Sequence, residues 1–174
     1  MNRGALFSLP NTVSLSRLVL AVVFMLVSER WERVALIVLA GFTDFMDGWL
    51  ARHKKSESTS GALIDPLTDR VFVLVAISVF LVEGQLGTSR YFIFLSRDIA
   101  TAVGFIVAKI IPWLRPAVFR ARLLGKIVTV LQLITLVAVI LVPEYTELLV
   151  LAIGITSAAS IVDYTGALWR ARTR

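Results

Sequence analysis

The sequence predicts an all-α integral membrane protein of six transmembrane helices, with a polar active site between helices near the cytoplasmic face. Three observations carry that prediction. Of 174 residues, 57% are hydrophobic and 17% charged, against about 25% charged in a soluble globular chain, and the mean hydropathy is +0.83. Six apolar segments can be drawn, near 11–28, 34–52, 65–83, 91–111, 123–142 and 146–169, each close to the ~20 residues a spanning helix needs. Pairs of aspartates lie inside two of these segments, where hydrocarbon is expected. The composition excludes disorder, and almost nothing is left over for a soluble domain, so 1–174 reads as one membrane domain.

The first segment follows Arg3 and has the outline of a signal peptide, but Ser28-Glu29-Arg30 offers no small-x-small cleavage site. It reads as a retained first helix. Residues 1–9, with Leu6, Phe7 and Leu9, read as an interfacial stretch before Pro10. The second span carries Asp44 and Asp47, the third opens with Asp65 and Asp69, and the short loop between makes the two antiparallel neighbours. The fourth span contains Arg97, whose burial there points to a role beyond solvation, though it could instead pair with Asp98 or Asp163. Trp31, Trp49, Trp113 and Trp169 fall near span ends, as an aromatic belt does.

Charge sets the orientation. With both termini, the 52–64 loop and the 109–126 segment on one side, that side holds most of the Lys and Arg residues, among them Lys54, Lys55 and Lys126. The opposite loops hold Arg30, Arg33 and Arg90. The rich side is expected to be cytoplasmic, with the active site and both termini there. A bacterial inner membrane fits the small size. The net charge of +6 and the pI of about 10.3 then reflect this asymmetry and anionic lipid. Nucleic acid is not an expected partner, because no long basic stretch is interleaved with aromatics. Lys109 and Arg115 read as anchors. The absence of cysteine excludes disulfides, thiolate catalysis, Cys-ligated zinc and Fe–S clusters. The lone His53 cannot build a multi-histidine metal site and reads as a solvated loop residue.

Asp44 lies eight residues before Arg52, roughly 12 Å below the cytoplasmic end of its helix. Asp47 is i+3 from Asp44 and Asp69 is i+4 from Asp65, so each pair shares a helix face. Four carboxylates at one depth repel strongly in a low dielectric and need a cation. An all-oxygen donor set points to Mg²⁺, Mn²⁺ or Ca²⁺. Mg²⁺ uses carboxylates together with substrate phosphates, which implies a phosphate-bearing substrate and a metal-assisted displacement with up to two metals. Gly48 and Ala51 leave room beside the acidic face, Gly61 would give backbone access to a ligand, and Arg52 would meet a phosphate or an aspartate. A lone aspartate would fit a proton relay or an ion pair equally well. Four in two helical pairs do not.

These residues spell D-x2-D-G-x2-A-R-x8-G-x3-D-x3-D over residues 44–69, with all eight positions matched. The pattern resembles the signature of the CDP-alcohol phosphotransferase (phosphatidyltransferase) family, and weaker resemblance covers nearly the whole chain. The resemblance implies a six-helix membrane fold, homodimeric, in which an acceptor hydroxyl attacks the β-phosphorus of a CDP-alcohol and CMP leaves. It implies divalent metal, Mg²⁺ or Mn²⁺ and two ions, held on the diphosphate by Asp44, Asp47 and Asp65. Asp69 is then the base for the acceptor hydroxyl and also touches metal. Gly48, Ala51, Arg52 and Gly61 match positions that cradle the cytidine and diphosphate. Asn11 and Ser14 join them in CDP binding.

The acceptor is read from smaller resemblances. The run from Pro10 through Asn11 and Ser14 to Arg17 resembles the P-N-x2-[T/S]-x2-R opening of two branches. One uses glycerol 3-phosphate (phosphatidylglycerophosphate synthases), the other phosphatidylglycerol (cardiolipin synthases). Asp65-Pro66-Leu-Thr68-Asp69-Arg70 resembles their D-P-x-A-D-K, with Thr68 for Ala and Arg70 for Lys. Ser96-Arg97-Asp98 resembles the S-R-D of cardiolipin synthases. Phe105 stands where phosphatidylglycerophosphate synthases often carry Arg, and Val128 replaces the second Lys of G-K-x-K-T in Gly125-Lys126-Ile-Val128-Thr129. Losing two cations suits a phosphodiester lipid better than a dianionic phosphomonoester. Phosphatidylglycerol is therefore favoured over glycerol 3-phosphate, and an inositol phosphate shares the eight-position signature. Arg97, Lys126, Arg120 and Arg122 are the candidates to hold the acceptor phosphate. Two other classes compete: a membrane prenyltransferase, which also binds a diphosphate through aspartates and Mg²⁺, and a non-enzymatic ion carrier.

Overall fold

The structure is a computed structural model. It describes the backbone of residues 9–53, 65–110 and 123–172, and the side chains of 16–46, 70–104, 124–163 and 165–166. Six α-helices account for nearly all of it: α1 (Leu9–Leu26), α2 (Arg30–His53), α3 (Asp65–Val82), α4 (Thr88–Ile110), α5 (Leu123–Leu141) and α6 (Thr146–Arg172), with one 3₁₀ turn at Pro143–Tyr145. The chain divides into two compact units, Met1–Glu83 and Gly84–Arg174.

The helices match the expected apolar segments, and their ends differ for identifiable reasons. α1 begins at Leu9 because Pro10 is tolerated in a first turn, where its missing N–H would have no partner. It stops at Leu26, two residues early, and Ser28 and Glu29 make the turn. α2 starts at Arg30 rather than 34, with the Arg33 N–H on the Glu29 carbonyl at 3.0 Å. It runs through His53, which is therefore the last residue of a helix and not a loop residue. α3 ends at Val82, and Gly84 follows with φ of 72°. That left-handed conformation favours glycine and closes a helix C-terminus. α5 ends just before Pro143, which cannot continue it.

In the first unit α1 packs against both α2 and α3. Phe24 of α1 meets Phe72 and Phe80 of α3 edge-on, each at 5.7 Å between centroids, a favoured aromatic arrangement. In the second unit α6 packs against both α4 and α5, and Gly154 of α6 lets Ile93 of α4 approach closely.

Polar and apolar residues are arranged as lipid requires. The buried positions include Arg17, Arg33, Gln132, Thr135 and Ser157, whereas exposed stripes are apolar: Val19, Val22 and Leu26 on α1, and Leu148, Leu151, Ile155 and Val162 on α6. Those spacings are one helical face each. Several helix hydroxyls bond the preceding turn, as with Ser78 on the Leu74 carbonyl and the buried Thr135 on the Leu131 carbonyl, which lets them sit in a low dielectric. Among the described residues, two stretches are long and apolar enough to cross a membrane, Leu124–Leu141 and Pro143–Asp163, with shorter apolar helices at Ser16–Leu26 and Arg70–Val82. α2 and α4 lose apolar length to charged residues they carry, Arg33 and Asp44 on α2 and Arg90, Arg97 and Asp98 on α4.

Candidate active site

One end of the first unit is tied by Arg33. Its Nη1 and Nη2 donate to the Glu83 carboxylate at 2.7 and 2.5 Å, its Nε donates to the Val27 carbonyl at 2.7 Å, and its guanidinium lies 5.4 Å from the Phe24 ring. The expectation that Arg33 is a loop residue is thus corrected: it lies in the first turn of α2, is buried, and joins the end of α1, the start of α2 and the end of α3. The tie makes α2 antiparallel to α1 and α3, but the expected direct pairing of α2 with α3 gives way to α1, which packs against each of them.

From this fixed end, helix rise places the signature. Asp47 is fourteen residues beyond Arg33 and Asp69 fourteen before Glu83, about 21 Å along each helix at 1.5 Å per residue. Asp44 comes at about 16 Å and Asp65 at about 27 Å on the same scale. On α1, Ser14 and Asn11 precede Val27 by thirteen and sixteen residues, or about 20 and 24 Å. All six therefore belong to the end of the unit away from the Arg33 tie. Gly48, Ala51 and Arg52 are on the last turns of α2, at that same end.

Of the four aspartates, Asp44 has a described side chain; those of Asp47, Asp65 and Asp69 lie outside the described residues, as do the side chains of Asn11, Ser14, Gly48, Ala51 and Arg52 and all of Gly61. Asp44 is half-exposed, and its Oδ1 sits 3.3 Å from Nη2 of Arg17, which is 2% exposed. Arg17 comes ten residues before Val27, about 15 Å along α1 and so level with Asp44. Sequence reasoning did not place Arg17 beside Asp44. Arg17 closes the P-N-x2-[T/S]-x2-R run, and its signal was an arginine inside an apolar span. By chemistry alone, the carboxylate oxygens of these four aspartates are the donor type a divalent metal takes. Among the described residues no group of three or more His, Cys, Asp or Glu assembles.

The second unit brings together a different set. Gln132 of α5 is fully buried, and its Nε2 donates to the Phe94 carbonyl at 3.0 Å and to Asp98 Oδ2 at 2.7 Å, both on α4. Asp98 Oδ1 stands 4.0 Å from Nη1 of Arg97. The Arg97 guanidinium lies against Gly125 of α5. Beside Gly125, Lys126 is exposed, while Val128 is fully buried in the helix packing. Arg120 and Arg122 lie outside the described residues.

The CDP-alcohol phosphatidyltransferase family matches residues 7–162, ending within α6. The chain belongs to that family. Among its relatives, a CDP-diacylglycerol–glycerol-3-phosphate 3-phosphatidyltransferase of Aquifex aeolicus is 28% identical over 91% of this chain and 94% of its own length. One of the same description from Bacillus subtilis is 29% identical over 78% of each. A cardiolipin synthase (CMP-forming) of Rattus norvegicus is 29% identical over 91% of this chain and 60% of that longer protein. Membership in this family of transferases replaces the prenyltransferase and ion-carrier alternatives.

Proposed function

We propose that the chain transfers the phosphatidyl group of CDP-diacylglycerol to a hydroxyl of phosphatidylglycerol and releases CMP. The eight-position signature, seven positions of which lie on α2 and α3 toward their ends away from the Arg33 tie, is the observation that supports the reaction. In this reading Asp44, Asp47 and Asp65 hold two Mg²⁺ or Mn²⁺ ions, with Asp69 also in reach. Bound metal supplies charge neutralisation for the diphosphate and for the CMP that leaves. Gly48, Ala51, Arg52, Gly61, Asn11 and Ser14 hold the cytidine diphosphate. Asp69 takes the proton of the acceptor hydroxyl as its oxygen bonds to the β-phosphorus, and the bond from that phosphorus to the CMP oxygen breaks. The enzyme works as a homodimer in a bacterial inner membrane, with the site and both termini cytoplasmic.

Phosphatidylglycerol is preferred because charge on the acceptor side is sparse. Val128, where a second lysine would add a cation, is fully buried, and Arg97 has Asp98 beside it. Arg97, Lys126, Arg120 and Arg122 remain to hold one phosphodiester. A second reading, glycerol 3-phosphate as acceptor, is favoured by the names of the Aquifex and Bacillus relatives.

The deciding experiment is CMP release by purified protein with CDP-diacylglycerol and Mg²⁺, offering phosphatidylglycerol, glycerol 3-phosphate or inositol 1-phosphate. Release with phosphatidylglycerol alone is expected. Release with glycerol 3-phosphate alone would replace the first reading by the second, and release with none would remove both.

A further inference from the structure

We infer that Gly125, Asp98 and Gln132 are positioning residues that together aim the Arg97 guanidinium at the phosphate of the acceptor. The inference rests on the reading above, in which Arg97 is a cation for that phosphate. Both candidate acceptors, the lipid phosphodiester and the soluble phosphomonoester, present phosphate oxygens.

Gly125 is the first part of the device. A methyl group built there would collide with Nη2 of Arg97 and come within 3.1 Å of Cζ and 3.5 Å of Nε. The guanidinium thus occupies the space a side chain on α5 would need. It rests on α5 seven residues from Gln132, about two helical turns away. This is the α5 end that begins at Leu123 and carries exposed Lys126. Arg97 starts within α4 and sends its charged head toward that end, the expected cytoplasmic side.

The second part is the Gln132–Asp98 bridge. Gln132 Nε2 holds one carboxylate oxygen, Oδ2, at 2.7 Å and the Phe94 carbonyl, one turn earlier on the same helix, at 3.0 Å. A fully buried amide that spans two acceptors on α4 fixes the carboxylate plane. The other oxygen, Oδ1, then faces Nη1 of Arg97 at 4.0 Å. That separation is loose beside the two-pronged Arg33–Glu83 pair at 2.7 and 2.5 Å. Asp98 is close enough to orient the guanidinium. A planar fork with one edge steered by Asp98 and its body laid on bare backbone presents its donors in a set direction, the geometry that two-pronged phosphate recognition demands.

The sequence motif had marked Gly125 only as a letter in a pattern. Its obstructed neighbour is the far end of a flexible side chain, so alanine there can be accommodated by moving Arg97, leaving the helices in place. That separates position from stability and makes the inference testable.

The test measures CMP release by the full chain in lipid nanodiscs with CDP-diacylglycerol, with phosphatidylglycerol and glycerol 3-phosphate in separate arms. Gly125→Ala is expected to raise KM for whichever acceptor is used by about tenfold, the scale of a misplaced charged hydrogen bond, with KM for CDP-diacylglycerol and the melting temperature unchanged. In an Arg97→Ala background, Gly125→Ala should add nothing, because the residues act through one another. Asp98→Asn, which keeps the shape, should raise the same KM with the wild-type arginine and not without it, and decides the matter should Gly125→Ala fail to fold. An acceptor KM unmoved by both substitutions, or raised as much with Arg97→Ala as without it, would overturn the positioning role while leaving Arg97 an acceptor cation. If Arg97→Ala itself leaves both acceptor KM values unchanged, the reading of Arg97 fails first and this inference goes with it.

Discussion

Arg17 and Asp44 meet at 3.3 Å with the arginine side chain at 2% exposure and the aspartate at 42%. Such a pair balances two costs: a buried guanidinium needs an anion, and a carboxylate within an apolar helix needs a cation. Because Asp44 is partly open to solvent, the coupling should be modest, about 1–2 kcal/mol in a double-mutant cycle of Arg17→Ala and Asp44→Asn followed by thermal melting. Strict additivity would mean the two side chains act independently. The same site carries the sharpest chemical prediction. Asp69→Asn removes the proposed base, and CMP release should fall by about 10²–10⁴-fold in folded protein. Normal release would refute the base assignment. The aspartates were legible because carboxylates in apolar segments are costly and their spacing is helical. Arg17 was legible only as a motif letter, since a pair between two helices leaves no mark in local spacing.

At the level of helices, the first unit depends on Arg33. It holds Glu83 by two hydrogen bonds, takes the Val27 carbonyl and covers the Phe24 ring. Replacing it by alanine leaves a carboxylate, a carbonyl and an aromatic face without their partner. With Glu83 about a third exposed, Arg33→Ala should cost about 2–3 kcal/mol, read as a lower melting temperature in detergent. By contrast, Arg90→Ala should change stability by no more than about 0.5 kcal/mol, because its pair with Glu147 joins exposed side chains at the starts of α4 and α6. A comparable loss in both variants would contradict the view that burial separates them. Composition had assigned Arg30, Arg33 and Arg90 alike to the sparse side. Burial divides them, and burial depends on which helices meet. Helix ends were legible to within a few residues from Pro10, Pro143 and the apolar runs. The longer α2 was hidden because its first turn is charged and reads as loop.

On the scale of the whole molecule, the expected orientation can be tested directly, because the chain has no cysteine. Single cysteines at Ser28 and Thr173 should differ in labelling by an impermeant maleimide in intact cells, with Ser28→Cys labelled and Thr173→Cys protected. The reverse pattern would invert the topology and put the aspartates on the wrong side for a cytoplasmic donor. The sequence by itself determined the helical class, the family and the position of the acidic signature. Those depend on local quantities: apolar run length, carboxylate spacing of three or four, and the cost of charge in hydrocarbon. Only the tertiary structure decided which cations serve which partners. Arg33 locks the end of the first unit, Arg17 faces Asp44, and Arg97 lies on Gly125 beside an Asp98 held by Gln132. Each of those choices joins residues on different helices, and contact across helices is set by packing rather than by neighbours along the chain.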